Sequence, residues 1–142
     1  MLTFKDFAVD QVYRAGPYVV APSDVQDFPQ ILGAEGPLET YSAVEQTMFN
    51  QWAGSALSMK LIATGELQVE GGTMGLGVDE LEWGAPAKVN DVLTLDSRVI
   101  SVRESRSNPD FGIVTLKTTT KNQDGDVIQT FTHALRVGPK SS

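Results

Sequence analysis

Between Glu45 and Thr64 apolar side chains return at helical spacing, with Met48, Trp52, Ala56, Met59 and Ala63 on one stripe and Phe49, Ala53 and Leu57 beside it. The stripe opposite (Asn50, Gly54 and Ser58) is small and uncharged, and Lys60 is the one charge between Gln46 and Thr64. A helix lying on a protein surface carries a charged face. This segment has none, so it predicts a helix about 28 Å long, enclosed on most sides by other protein. Gly65 stands where a left-handed glycine would end it.

Beyond Gly65 the period shortens to two. Met74 to Trp83, Val92 to Val102, Ile113 to Lys121 and Val127 to Val137 read as strands; in the second, Leu93, Leu95 and Val99 face one way and Asp96 and Arg98 the other. Asn122-Gln123-Asp124-Gly125 joins the last two, and Asp-Gly is a hairpin signal. The first thirty residues are less regular. Val12-Tyr13-Arg14 and Tyr18 to Ala21 are short extended pieces broken by Gly16-Pro17. A helix over Asp24 to Leu32, with Ser23 as N-cap and Gly33 as stop, is followed by a loop from Ala34 to Ser42.

Four long strands in a meander behind one buried helix specify an α+β fold, a curved antiparallel sheet wrapped around a long central α-helix. This is the hotdog arrangement. One sheet cannot seal such a helix, so a dimer with a continuous sheet is expected. The chain reads as a single domain over 1–142, with 139–142 as a tail.

Composition narrows the function classes. With 142 residues, 41% hydrophobic and 20% charged, the chain is too apolar for disorder and long enough to bury a core. Eleven basic against eighteen acidic residues leave a net charge of −7, and no concentrated basic patch offsets it, so nucleic acid is excluded as a partner. Without cysteine there is no disulfide, thiolate nucleophile or Cys-ligated metal, and no other spacing suggests a metal site. No apolar run approaches the ~18 residues of a membrane span. The opening Met1 to Asp6 lacks the features of a signal peptide. A cytoplasmic protein without membrane contact is the expectation.

Five ordered segments resemble the MaoC-like acyl dehydratases, the hotdog family that includes the (R)-specific enoyl-CoA hydratases. Phe4 to Val12 is similar to that family's F-x-D-F-x-V-G-Q opening, and Trp52 to Leu61 to its central helix. Gly77-Val78-Asp79-Glu80-Leu81-Glu82-Trp83, then Pro86 and Asn90 to Leu93, resembles its G-x-D-E-L-x-W pattern. Ser105 to Val114 and Asn122 to Gly125 complete the likeness. The resemblance implies an acyl-CoA or acyl-carrier thioester as ligand, with coenzyme A entering as part of the substrate and no separate cofactor. It also implies an Asp-x-x-x-x-His pair just before the central helix, because hydration of an α,β-unsaturated thioester needs a base for water and an acid for the α-carbon. Here those positions fall on Ala34 and Glu39, and the single histidine is far off at 133. The turn where the family often has Ser-Gly-Trp-His reads Asn50-Gln51-Trp52-Ala53.

Several residues are candidates for chemistry. Glu39 could serve as base in place of the missing pair, with the N–H groups of Gln51 and Trp52 as donors to the thioester carbonyl, although a solvated loop glutamate is the plainer reading. Glu45 could activate water in a hotdog thioesterase; an acid interacting with the helix dipole is the alternative. Met48 and Trp52 could line an acyl tunnel or simply pack in a core. Lys88, Arg103 and Arg106 could hold the phosphates of coenzyme A. His133 sits on an apolar strand face, where a hydrogen-bonded core histidine is expected. Three functions follow: a dehydratase-family protein binding an acyl thioester, a non-catalytic hotdog subunit paired with a dyad-bearing partner, or a thioesterase built on Glu45. The assembly is expected to be a homodimer, or a heterodimer with a catalytic hotdog subunit.

Overall fold

The computed structural model describes residues 1–138, and the tail expected at 139–142 lies outside them. Strand β1 (Val12–Val19) leads into two short helices, α1 (Pro22–Val25) and α2 (Phe28–Ile31), and then into the long helix α3 (Ala43–Thr64). Strands β2 (Thr73–Trp83), β3 (Val92–Glu104), β4 (Gly112–Lys121) and β5 (Val127–Val137) follow. They form one antiparallel sheet of five strands in the order β1-β3-β4-β5-β2. The α+β hotdog architecture is therefore present.

The order corrects two expectations. Strands β3, β4 and β5 are the meander, but β2 pairs with β5 at one edge and not with β3. The extended pieces around Gly16-Pro17 are a single fifth strand at the other edge, which absorbs the pair in an irregularity between Ala15 and Tyr18. An edge strand tolerates a proline because one row of its amides has no partner to lose.

Local chemistry accounts for the other differences. Pro29 has no N–H to give the Val25 carbonyl, so the helix expected over 24–32 breaks into α1 and α2. The cap is not Ser23. Asp24 turns back to accept from the Ala21 amide at 2.8 Å and from the Tyr18 hydroxyl at 2.6 Å. Helix α3 begins two residues early because Ser42 and Glu45 form a reciprocal capping box. Gly65 ends it with extended backbone, φ −92°, not in the left-handed region. What Gly65 supplies is room: a β-carbon there would run into the Ala15 β-carbon and lie 2.9 Å from the Arg14 carbonyl oxygen. Gly65→Ala should thus cost about 2 kcal/mol by prising α3 from β1, read as a lower urea midpoint. A change under about 0.5 kcal/mol would contradict that close approach.

Two apolar clusters fill the sheet's inner face. Leu57 and Leu61 of α3 pack with Leu93, Leu95 and Ile128 at one end, under Val20, Val25 and Leu38. At the other end Phe4, Phe7 and Val69 cover Val99, Val114, Leu116, Leu135 and Val137. The helix turns its second apolar stripe, Ala53 and Leu57, and its small stripe inward. The small stripe faces the sheet, with Gly54 close against Ile128 and Ser58 bonded to Thr120 at 2.7 Å. The large apolar stripe faces away. Met48, Trp52 and Met59 are 53%, 50% and 57% exposed, so enclosure on most sides does not hold within one chain. Edge strand β2 is equally open, with Met74, Leu76 and Val78 exposed.

Candidate functional site

Where α3 crosses β5 a small polar network fills the space between helix and sheet. Gln129 points inward from β5 and is 2% exposed. Its side-chain oxygen accepts from the Ser55 hydroxyl, and Ser55 in turn accepts from the Trp83 indole N–H at 2.9 Å. The Trp83 ring meets Trp52 edge to face, centroids 4.9 Å apart. Each partner comes from a different element, so α3, β2 and β5 are locked together here. One turn earlier on α3, Asn50 holds a buried side-chain oxygen with no hydrogen-bond partner among the described residues.

Farther along β5, His133 is 6% exposed and its Nε2 lies 2.8 Å from the Thr118 hydroxyl, which also bonds Ser97. Burial holds its pKa down at about 4, so the ring is neutral at pH 7. It is a core histidine, as expected, with the Phe131 ring tilted against it, centroids 4.7 Å apart.

The positions matched to the family's acid–base pair hold no such pair. Ala34 gives its amide to the Pro29 carbonyl at 2.8 Å. Glu39 sits exposed on a single 3-10 turn, Leu38–Thr40, anchored by the buried side chain of Leu38. No side-chain hydrogen bond or ion pair engages Glu39 among the described residues. The amides of Gln51 and Trp52 are not available as carbonyl donors. Only the first four N–H groups of a helix are free, and α3 starts at Ala43. Gln51 and Trp52 lie well inside it, a correction that follows from the early cap. Met48 lies one turn before Trp52 on the same open stripe.

Glu45 is the other half of the cap: its carboxylate accepts from the Ser42 amide at 3.1 Å, while its own amide donates to the Ser42 hydroxyl at 3.2 Å. The Ser42 hydroxyl, and after it the Ser42 amide, hold the carboxyl below its ordinary value, which makes it a poorer base. Ser42→Ala should cost about 1 kcal/mol in thermal or urea unfolding. No loss would mean the box does not support the helix.

The basic candidates divide. Lys88 lies exposed in the β2–β3 connection, its amide donating to Asp91 at 2.9 Å. Arg103 and Arg106 lie at the far end of β3, a strand of 13 residues and so about 40 Å long. One phosphate clamp cannot include all three. Arg103 and Arg106 instead share a cleft with Arg136, which the sequence reading passed over. Gln129 was passed over too, although its phase with Phe131, Leu135 and Val137 marks a buried polar group.

A five-stranded antiparallel sheet against one long helix defines a hotdog protein. The family described as FAS1-like, dehydratase domain region matches residues 8–131, and the chain belongs to it. Among solved structures, a MaoC-like dehydratase from Rhodospirillum rubrum superposes with a TM-score of 0.79 at 24% identity, covering 100% of both chains. The unliganded (R)-hydratase PhaJ1 of Pseudomonas aeruginosa gives 0.69 at 21% identity, over 98% of this chain and 86% of that one. A chain of the 3R-hydroxyacyl-ACP dehydratase complex HadBC from Mycobacterium tuberculosis gives 0.58 at 15%, over 93% of this chain and 98% of that one. These likenesses bear on the fold. Among curated proteins none matches. No helix among the described residues is long and apolar enough to cross a membrane.

Proposed function

We infer that this chain is a dehydratase-family subunit without its own proton-transfer pair, forming one wall of an acyl-thioester tunnel whose acid and base come from a second hotdog chain. The observation that carries this reading is the location of the only histidine. It is buried in the middle of the sheet and bonded to Thr118, while Ala34 and Glu39 occupy the dyad positions. Two surface clefts, one beside Phe4 and Val69 and one beside Arg103, lie away from Glu39, Gln51 and Trp52. The open stripe of α3 and the open edge β2 give the second chain a place to pair. That edge carries Asp79, Glu80 and Glu82 and no basic residue, which disfavours pairing with an identical copy and favours a less acidic partner. The unsatisfied oxygen of Asn50 suits an amide-bearing ligand such as a pantetheine arm, whose N–H groups are donors.

Co-expression with a hotdog chain that carries the Asp/His dyad tests this. The two should elute as a one-to-one complex that hydrates crotonyl-CoA, with the rate unchanged by Glu39→Gln. Hydration by the chain alone, lost on Glu39→Gln, would restore Glu39 as base and remove the need for a catalytic partner.

A further inference from the structure

We propose that the cleft in which Arg103, Arg106 and Arg136 converge binds an organic phosphate carrying at least two negative charges. In the sheet register Arg103 stands opposite Ile113, and Ile113 opposite Arg136, so the two arginines flank Ile113 in one row across β3, β4 and β5. The neighbouring positions Val114, Leu135 and Val137 are buried on the inner face, which puts this row on the outer one. Two strand spacings separate the row's ends by about 10 Å. Arg106 reaches the same cleft from the β3–β4 hairpin, as does Phe111, over whose ring the Arg136 guanidinium lies at 4.7 Å. The cleft measures about 460 Å³.

Charge makes this grouping unusual. The chain has eighteen acidic residues and eleven basic ones, yet three arginines share one cleft whose lining holds a single carboxylate, Glu104. Among the described residues the ion pairs engage Lys5 and Arg98 and none of these three. Guanidinium groups this close repel one another, and a ligand with one negative charge would leave the cleft positive. Phosphate esters match the arginine fork bidentately and supply the further charge. The stacked Phe111 fixes the fork of Arg136 before a ligand arrives, which lowers the ordering cost of binding. All the lining residues come from one chain, and the three arginines lie away from α3, although Leu76 at the cleft's rim belongs to the open edge β2.

Two sources share this chemistry, the bisphosphate end of a coenzyme A thioester and a free nucleotide. Isothermal titration of the full chain with inorganic pyrophosphate, adenosine 3′,5′-bisphosphate, ADP and coenzyme A separates them, with adenosine as the uncharged control. Pyrophosphate and the bisphosphate should bind with an affinity that falls as salt rises, and adenosine should not bind. Arg103→Gln and Arg136→Lys should each weaken binding about tenfold or more, the second because it keeps charge but loses the fork. Lys117→Gln, on β4 outside the cleft, should leave it unchanged. Tighter binding of coenzyme A than of ADP assigns the cleft to a thioester's carrier, and the reverse order assigns it to a nucleotide. No saturable binding of any phosphate, or binding indifferent to both arginine variants, would overturn the proposal.

Discussion

The double variant Met48→Asp, Trp52→Asp is expected to remain folded and to weaken assembly with a second hotdog chain about 1,000-fold. Both side chains stand on the open stripe of α3, half exposed in the single chain, so carboxylates there meet water while the chain is alone. Within the chain the main loss is the edge-to-face contact of Trp52 with Trp83, worth about 1 kcal/mol. Once a partner covers the stripe, the same two positions become a buried apolar anchor. Truncated anchors of that kind cost at least about 2 kcal/mol each, and about 4 kcal/mol together is roughly three decades in dissociation constant. Sedimentation velocity over a dilution series of the co-purified complex reads this directly. Val9→Asp places the same charge on an exposed apolar residue away from the stripe, and it should assemble like wild type. Equal losses in both variants would mean the stripe is not the joining face.

The second large effect is on pH. Burial lowers the His133 pKa from 6.5 to about 4 in the folded chain. Between those values the unfolded chain binds a proton that the folded chain refuses. Stability is therefore full above pH 6.5 and is lost as pH falls through 6.5 toward 4. At pH 4.5 the loss should be about 2 kcal/mol, after allowance for the solvent that still screens the ring. His133→Gln keeps a hydrogen-bonding group opposite Thr118 but does not titrate in this range. The unfolding free energy from urea titrations should therefore fall less between pH 7 and pH 4.5 in the variant, by that same amount, with the carboxylates common to both proteins cancelling. An identical fall would show that His133 is already solvated in the folded state. The same neutrality keeps His133 from standing in for the missing acid.

Much of the fold is legible in the sequence, and where it is not the reasons are particular. Helix α3 and strands β3 to β5 follow from periodicity because each is long, and β2 from its run of strand-forming residues between turns. Periodicity gives a helix two faces without saying which one meets the sheet. Gly54 and Ser58 let the backbone come close, and that favoured the small stripe over the larger apolar one. The position of β2 beside β5 is a long-range pairing with no local signal. The start of α3 was readable: Ser42-Ala43-Val44-Glu45 carries the capping-box spacing, and recognising it places Gln51 and Trp52 inside the helix. Gln129 was readable as well, since a polar side chain in the inward phase of an apolar strand needs buried partners, which here are Ser55 and, through it, Trp83. The cleft of three arginines was not, because Arg136 joins Arg103 only through the register of two intervening pairings.

Amide hydrogen exchange along Thr73 to Val78, compared between the chain alone and the chain in its assembled complex, puts the joining face to the most direct trial. Covering by a second subunit predicts that the amides of this stretch left unpaired by β5 exchange rapidly in the lone chain and are protected by a factor of about 100 or more in the complex, with Trp52 emission shifting to the blue. Equally fast exchange in both states, with the emission unchanged, would contradict it.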